Sequence, residues 1–312
     1  MPNILLLESI SPAAYDLLGS AAHIIKAPAP DRGLEVIDGQ DIHGIVTRGK
    51  GQVNQTLIDA CTSLGAIARC GVGLDNVDVP HATSQDIKVI NAPGANADTV
   101  AEHTLSLMLL AQRKIYDAIT SVNDGHWADR NHYGGDEIRG KTLGIIGMGD
   151  IGRKVAKLGE AFGMNIIYWN RSDVTTDYQR VDLPELLHQA HIISIHLSLN
   201  AETSGLITAD SFSKNTHRPI LINTSRGGII TDAEVIRALE EGSIAAYAAD
   251  VLQSEPPPSD SALLTMPHAF VTPHIASLTA RTYDEMCVMT VQNLIDVLAG
   301  RDINPKYIFN QK

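Results

Sequence analysis

From one end of the chain to the other, short apolar runs rich in β-branched residues alternate with stretches of helical periodicity, and that alternation dictates parallel α/β structure. In the first third, Ile4–Leu7, Gly44–Thr47, Ala66–Arg69 and Lys88–Asn91 read as strands, separated by helical patterns such as Ser11–Leu18 and Gln55–Thr62. A longer helix is expected to open near Thr99, where Thr99 and Glu102 stand in capping-box relation and Val100, Thr104, Leu107, Ala111 and Ile115 recur at helical spacing. A polar loop, "NDGHWADRNHYGGDEIRGK", follows. Beyond it, strands are expected at Thr142–Ile146, His191–Leu197, Pro219–Asn223, Ile244–Asp250 and Ala269–Thr272, then a last amphipathic helix over Tyr283 to Leu298.

At 312 residues the chain suggests two domains. The spacing predicts two doubly wound parallel-sheet domains: a discontinuous one of residues 1–98 plus 283–312, and a second over residues 99–282.

The segment "GIIGMGDIGRKVAKLGEAFGMNIIYWNRS", Gly144 to Ser172, carries the most specific local signal. Gly147, Gly149 and Gly152 form G-x-G-x-x-G between an apolar strand and a helix whose Ile151, Val155, Leu158 and Phe162 share a face. In that setting the first glycine permits the tight turn and the second lets backbone approach a pyrophosphate. The third lets helix pack on strand, with the phosphates at the helix N-terminus. The second domain is therefore expected to be a Rossmann nucleotide-binding domain.

At the end of the following strand an NAD site wants a carboxylate for the adenosine ribose, and this chain has Asn170, Arg171 and Ser172 there. Asn170 is neutral, Arg171 suits a 2′-phosphate and Ser172 adds a hydrogen bond, so NADP(H) is the expected preference. The alternative is a solvated Arg171 and a weakened NAD(H) site.

Three further segments place reactive residue types at strand ends, where α/β crevices bind ligands. They are "LINTSRGGIITDAEV" with Arg226, "YAADVLQSEPPPS" with Asp250 and Glu255, and "VTPHIASLT" with His274. An arginine holds a substrate carboxylate and polarises the adjacent carbonyl, while a protonated histidine delivers a proton to the developing alkoxide. A carboxylate beside that histidine orients the imidazole and favours its charged form. Together they suit hydride transfer to a 2-keto acid.

With those motifs in view, the sequence resembles the D-isomer-specific 2-hydroxyacid dehydrogenases, the group that includes glyoxylate and hydroxypyruvate reductases and 3-phosphoglycerate dehydrogenase. Besides the glycine turn, the resemblance rests on "ARCGVGLDNVDV", "NAPGANADTVAEHTLSLML", "ELLHQAHIISIHLSLNAETSGLI", "NTSRGGIITDAEVIRALEEGSIAAYAADV" and "VTPHIAS" in the family's order. It implies a smaller flavodoxin-like substrate domain beside the Rossmann domain. Arg226 would bind the substrate carboxylate and carbonyl, His274 would be the acid/base and Glu255 its partner. The cofactor set would be Gly147, Gly149, Asp150, Ile151, Gly152, Asn170, Arg171, Ser172, Thr224 and Asp250, the last near the nicotinamide carboxamide. Gly71, Val72 and Gly73, with Arg48, would take the substrate.

The resemblance also implies a homodimer. Two departures stand out: Ser198 in "HLSLN", where many relatives carry proline, and "TRGKG", which brings Lys50 close to Arg48. With Arg69, these cations predict a basic outer pocket suited to a substrate with a second anionic group.

Composition limits the alternatives. With 24 Lys plus Arg against 36 Asp plus Glu, the net charge of −12 repels nucleic acid. No apolar run reaches the length of a membrane span, and "MPNILLLESI" lacks a secretory signal, so a cytoplasmic protein is expected. Cys61, Cys70 and Cys287 show no metal-type spacing and read as buried free thiols. No metal site is expected, and no regulatory domain of the kind the longest phosphoglycerate dehydrogenases carry.

The runner-up function is an NAD-dependent D-2-hydroxyacid dehydrogenase, for instance of 3-phosphoglycerate. A reading of another class is a nucleotide-sensing corepressor, since the same fold and the same Arg, Glu and His serve both.

Overall fold

A computed structural model describes residues 1–311 and divides the chain into two compact units: Met1–Asn96 together with the segment from Leu278, and Ala97–Ser277. In the first unit, β1 (Asn3–Leu6), β2 (His23–Lys26), β3 (Ile42–Thr47), β4 (Ala66–Arg69) and β5 (Lys88–Ile90) form one parallel sheet in the order β2-β1-β3-β4-β5. The connecting helices are α1 (Pro12–Ala21), α2 (Gln55–Ala60) and α3 (Val79–Ser84). Each begins where a short polar side chain accepts a first-turn N–H: Ser11 from Ala14, Asn54 from Leu57 and Asp78 from His81.

The second unit opens with α4 (Ala97–Gln112) and α5 (Ile115–Asn123). Its sheet comprises β6 (Thr142–Ile146), β7 (Asn165–Trp169), β8 (Gln179–Arg180), β9 (Ile192–Ile195), β10 (Ile220–Asn223), β11 (Ala246–Ala249) and β12 (Ala269–Val271). All seven strands run parallel, in the order β12-β11-β10-β9-β6-β7-β8. Among them α6 (Asp150–Ala161) follows β6, α7 (Leu183–Gln189) precedes β9 and α8 (Asp232–Glu240) links β10 to β11. Strands β9, β10 and β11 are buried at every residue, as expected of a parallel sheet covered on both faces. Two apolar cores flank it, one built around Leu186, Phe212, Ile229 and Tyr247, the other around Leu107, Met108, Leu143 and Val155.

The chain then returns to the first unit as α9 (Ala280–Leu298), capped by Thr279. Its Cys287, Val291 and Leu294 pack with Ile4, Leu6, Val46 and Ala68 of the first sheet.

Two local expectations are corrected. Thr99 is not a cap, because α4 starts two residues earlier at Ala97 and buries Ala97 and Val100. Ile115 does not continue that helix: Lys114 adopts φ +47°, which breaks the run and starts α5 on a new axis. The polar loop after α5 holds a short 3₁₀ turn, Trp127–His132. All three cysteines are free and buried, as expected. Among the described residues no helix is long and apolar enough to cross a membrane, and no group of three or more His, Cys, Asp or Glu is placed to hold a metal.

Candidate active site

The glycine turn sits where the strand-to-helix reading places it, between β6 and α6. Gly147 has φ +101°, and a Cβ there would lie 2.4 Å from the carbonyl oxygen of His196. A Cβ on Gly152 would lie 2.1 Å from the carbonyl oxygen of Gly147, so only glycine lets α6 close on the turn. Gly149 differs. It is the N-cap of α6, with ordinary extended backbone, and a Cβ there would meet no atom within 4 Å. The space over Gly149 faces a helix start, where Asp150, Ile151 and Gly152 carry N–H groups lacking intrahelical acceptors. An open cradle at a helix N-terminus fits a pyrophosphate.

Past the end of β7, Asn170 turns back to that cradle: its Oδ1 accepts the Met148 N–H at 3.1 Å. Its Nδ2 donates to the carbonyl of Ser172 at 2.9 Å. A neutral amide thus occupies the place of an acidic residue and is spent on holding the loop. Arg171 is paired with Glu202, and Arg180 with Asp173.

Three adjacent strands carry the candidate catalytic side chains. After β10, the buried Asn223 shapes the turn: its Oδ1 accepts from Ser225 N–H at 3.0 Å and its Nδ2 donates to the Arg226 carbonyl at 3.0 Å. Thr224, also buried, shares a 2.8 Å hydrogen bond with Thr104 of α4. After β11, Glu255 accepts the Leu252 N–H at 3.1 Å. After β12, His274 has φ +55°, and its Nδ1 lies 2.5 Å from Oε2 of Glu255. Arg226, Glu255 and His274, 48 residues apart in sequence at the extremes, are brought together by the order of the strands.

Burial works to raise the Glu255 carboxyl, but the His274 hydrogen bond and charge, the Leu252 N–H and the Arg226 charge outweigh it and hold the group below its usual range. An ionised Glu255 accepts from Nδ1–H of His274, which leaves Nε2 as the nitrogen that can exchange a proton with a ligand.

Asp250, at 1% exposure, clamps the His274 segment. It accepts from the Thr272 hydroxyl at 2.5 Å, the Ile275 N–H at 2.8 Å and the Ala276 N–H at 2.7 Å. His103 of α4 approaches the same carboxylate at 3.6 Å. The left-handed backbone of His274 is therefore fixed on both sides, by Asp250 below and Glu255 at the ring.

In the first unit the strand ends carry the other candidate ligands. Gly71, Val72 and Gly73 follow β4, with the Val72 carbonyl held by Asn91 Nδ2 at 2.7 Å and the Arg69 guanidinium packed over Gly71. Arg48 lies over the Tyr283 ring, 5.5 Å from its centroid.

Residues 105–276 match the family described as "D-isomer specific 2-hydroxyacid dehydrogenase, NAD binding domain", which covers more than half of the chain. This chain belongs to that family. It is 36% identical over 272 residues to a hydroxypyruvate reductase of Thermotoga maritima, covering 86% of this chain and 88% of that one. It is 35% identical over 305 residues to a D-3-phosphoglycerate dehydrogenase of Archaeoglobus fulgidus. That match takes in 96% of this chain but 58% of the relative, so this dehydrogenase-family chain spans little more than half the length of such proteins. A crystal structure of an NADPH-dependent glyoxylate/hydroxypyruvate reductase from Sinorhizobium meliloti, in complex with NADP and malonate, superposes with a TM-score of 0.87 at 29% identity, covering 95% of this chain and 93% of that one.

One participant in this family member escapes sequence reading. Glu8, just past β1, is buried under the Arg48–Gly51 loop. Its Oε1 accepts the N–H groups of Arg48, Gly49, Lys50 and Gly51 at 2.8 to 2.9 Å, and the Thr47 hydroxyl at 3.1 Å. Burial pushes this carboxyl up, but the backbone donors of Gly51, Gly49 and Arg48 and the Thr47 hydroxyl win and hold it low. The signals available were "LLLES" at one strand end and "TRGKG" at another, which only the fold joins.

Proposed function

We propose that this chain is an NADPH-preferring reductase that converts a small 2-keto acid, of the glyoxylate or hydroxypyruvate type, to the D-2-hydroxy acid. The observation that carries the reading is the 2.5 Å contact of His274 Nδ1 with Glu255, with Arg226 on the neighbouring strand end. Arg226 binds the substrate carboxylate and draws electron density from the carbonyl oxygen. His274 delivers the Nε2 proton to the alkoxide that develops there, and Glu255 stabilises the imidazolium before transfer. When bound, the reduced nicotinamide supplies the hydride. Gly147, Gly149, Asp150, Ile151 and Gly152 would hold its pyrophosphate, with Thr224 and Asp250 toward the nicotinamide end.

Support for NADPH comes from the missing carboxylate at Asn170, from the adjacent Arg171 and Ser172, and from the Sinorhizobium relative's NADP complex. Gly71, Val72, Gly73 and Arg48 are the substrate-binding candidates of the first unit. That unit is read as a flavodoxin-like substrate domain on its 2-1-3-4-5 strand order. Lys50, on the loop after β3, and Arg69, the last residue of β4, favour a substrate with a second anionic group.

A homodimer is supported by α5 and the turn after it, which leave Ile115, Tyr116, Ile119, Val122, Trp127 and Tyr133 exposed. Three reduced, buried thiols suit the cytoplasm.

The second reading, an NAD-dependent 3-phosphoglycerate dehydrogenase, is favoured by the Archaeoglobus relative and by the engagement of Arg171 with Glu202. Steady-state reduction of glyoxylate, hydroxypyruvate, phosphohydroxypyruvate and pyruvate, each with NADPH and NADH, separates the two. A higher kcat/KM with NADPH is expected. A higher value with NADH selects the second reading, and no turnover with any pair leaves the corepressor class.

A further inference from the structure

The adenosine end of the nucleotide site holds more charge than its sequence motif announces. Strand β8 is only two residues long and lies at the sheet edge, where Arg180 is in register with Tyr168 of β7. Arg180 reaches across the strand end: its Nη2 donates to the carbonyl oxygen of Asn170 at 2.9 Å, and its Nη1 is paired with Asp173. Asn170 is the residue that stands where an NAD site keeps its carboxylate. A guanidinium is therefore bonded to the backbone of the very position that decides between a ribose hydroxyl and a ribose phosphate.

Around the same loop, Arg171 is paired with Glu202, and Arg153 of α6 donates through Nη1 to the Thr175 carbonyl at 2.7 Å. The two outer arginines are neutralised by two carboxylates, Glu202 and Asp173. We propose that Arg180 is a second cation reading the cofactor's 2′-phosphate beside Arg171, and that Glu202 and Asp173 are internal counter-ions which that phosphate displaces. The inference rests on the NADPH reading of this site and names residues that the reading does not include.

Three physical facts carry it. The Arg171 and Glu202 side chains are 71% and 69% exposed, and Asp173 is 94% exposed, so both ion pairs are solvated and weak enough to exchange. A guanidinium has five donors, and the two contacts of Arg180 leave others for a planar approach to phosphate oxygens. A 2′-hydroxyl carries no charge and cannot compete with a carboxylate for an arginine, whereas a phosphate monoester near −2 can. Glu202 then acts as a threshold: it costs NADPH the displacement of one carboxylate and leaves NADH untouched.

The test is calorimetric titration of the unliganded protein with NADPH, NADH, 2′,5′-ADP and 5′-AMP, in the wild type and in Arg180→Gln, Glu202→Gln and Arg171→Gln. Arg180→Gln is expected to weaken NADPH and 2′,5′-ADP by about tenfold while moving NADH and 5′-AMP by less than about twofold. Glu202→Gln is expected to tighten NADPH and 2′,5′-ADP only. Equal weakening of all four ligands in Arg180→Gln would reduce Arg180 to a loop brace and overturn its assignment, and unchanged or weaker NADPH binding in Glu202→Gln would overturn the counter-ion role. Both failures leave the NADPH reading standing when the wild type still prefers NADPH and Arg171→Gln abolishes that preference. A wild type that binds NADH as tightly as NADPH overturns the reading and the inference together.

Discussion

Nδ1 of His274 and Oε2 of Glu255 lie 2.5 Å apart, on segments that follow neighbouring parallel strands. The contact sets the tautomer of the imidazole and leaves Nε2 for a reacting oxygen. Replacing Glu255 by Gln keeps the shape and removes the charge that stabilises the imidazolium. A fall in kcat/KM of about 10²-fold or more is expected, in the range of general acid-base contributions. The pH dependence follows from the sign of the shift. Glu255 is held below its ordinary value, so its contribution to the folded site is complete above the usual carboxylate range and disappears as pH falls through the lowered folded value. A profile of kcat/KM against pH for wild type and Glu255→Gln checks this; an unchanged acid limb in the variant would refute it.

Gly149 and Gly152, three residues apart, are expected to respond oppositely to alanine. A methyl at Gly149 points into open space, so Gly149→Ala should leave stability within about 0.5 kcal/mol while occupying the phosphate cradle. Dinucleotide binding should weaken by about tenfold or more, ~1.4 kcal/mol. A methyl at Gly152 meets the Gly147 carbonyl at 2.1 Å, so Gly152→Ala should destabilise the protein by about 1–3 kcal/mol. Urea unfolding and calorimetric titration of both variants separate the two effects.

Removal of the Glu8 carboxylate leaves four backbone N–H groups under the Arg48–Gly51 loop without their acceptor, while the Thr47 hydroxyl keeps the Gly51 carbonyl. Glu8→Ala should cost about 3 kcal/mol, the usual penalty for several buried donors that relax only in part. Because this carboxyl is also held low, its contribution is present above the ordinary carboxylate range and is lost as pH falls through the lowered folded value. Chemical denaturation at neutral pH and near pH 3 should show the wild-type advantage over Glu8→Ala shrinking in acid. A constant difference across that range would contradict the assignment.

At Gly227 the loops that carry the candidates Arg226 and Glu255 touch. A Cβ there would lie 2.0 Å from the carbonyl carbon of Leu252, three residues before Glu255. Gly227→Ala should push the Arg226 turn away from the Glu255 loop, and a displacement of about 1 Å costs on the order of 10²-fold in rate. Activity should fall far more than the Kd of the dinucleotide, whose cradle lies after β6.

What the sequence disclosed and what it withheld follow one physical line. The glycine turn was legible because its three glycines fall within six residues between an apolar strand and a helix, and Gly152 answers to Gly147 inside that span; the His196 carbonyl that also excludes a side chain at Gly147 lies far off in sequence. Arg226, Glu255 and His274 stood out as candidates because each follows an apolar strand, where polar residues are conspicuous. The edge strands β2 and β8 were missed: β2 has only Ile24 and Ile25 between an exposed His23 and Lys26, and β8 is two exposed polar residues, so neither presents an apolar run. The break at Lys114 was missed because apolar spacing continues through it while the backbone does not. Glu8, Arg180 and Glu202 were missed for a third reason. Their partners lie 7 to 43 residues away, and nothing in a glutamate or arginine announces which backbone it will meet.

The return of the chain to its first unit orders events during synthesis. A ribosome releases residues 1–96 first, with all five strands of the first sheet but without α9, whose Cys287, Val291 and Leu294 complete the core over Ile4, Leu6, Val46 and Ala68. β5 likewise waits for the antiparallel bridge from Ile90 to Ile308 and for the side chain of Asn310, which accepts the Val89 N–H. Residues 97–277 are contiguous and need no such wait. The later-made unit can therefore finish folding before the earlier one, while an apolar sheet face stays open to water or to a chaperone until α9 has emerged.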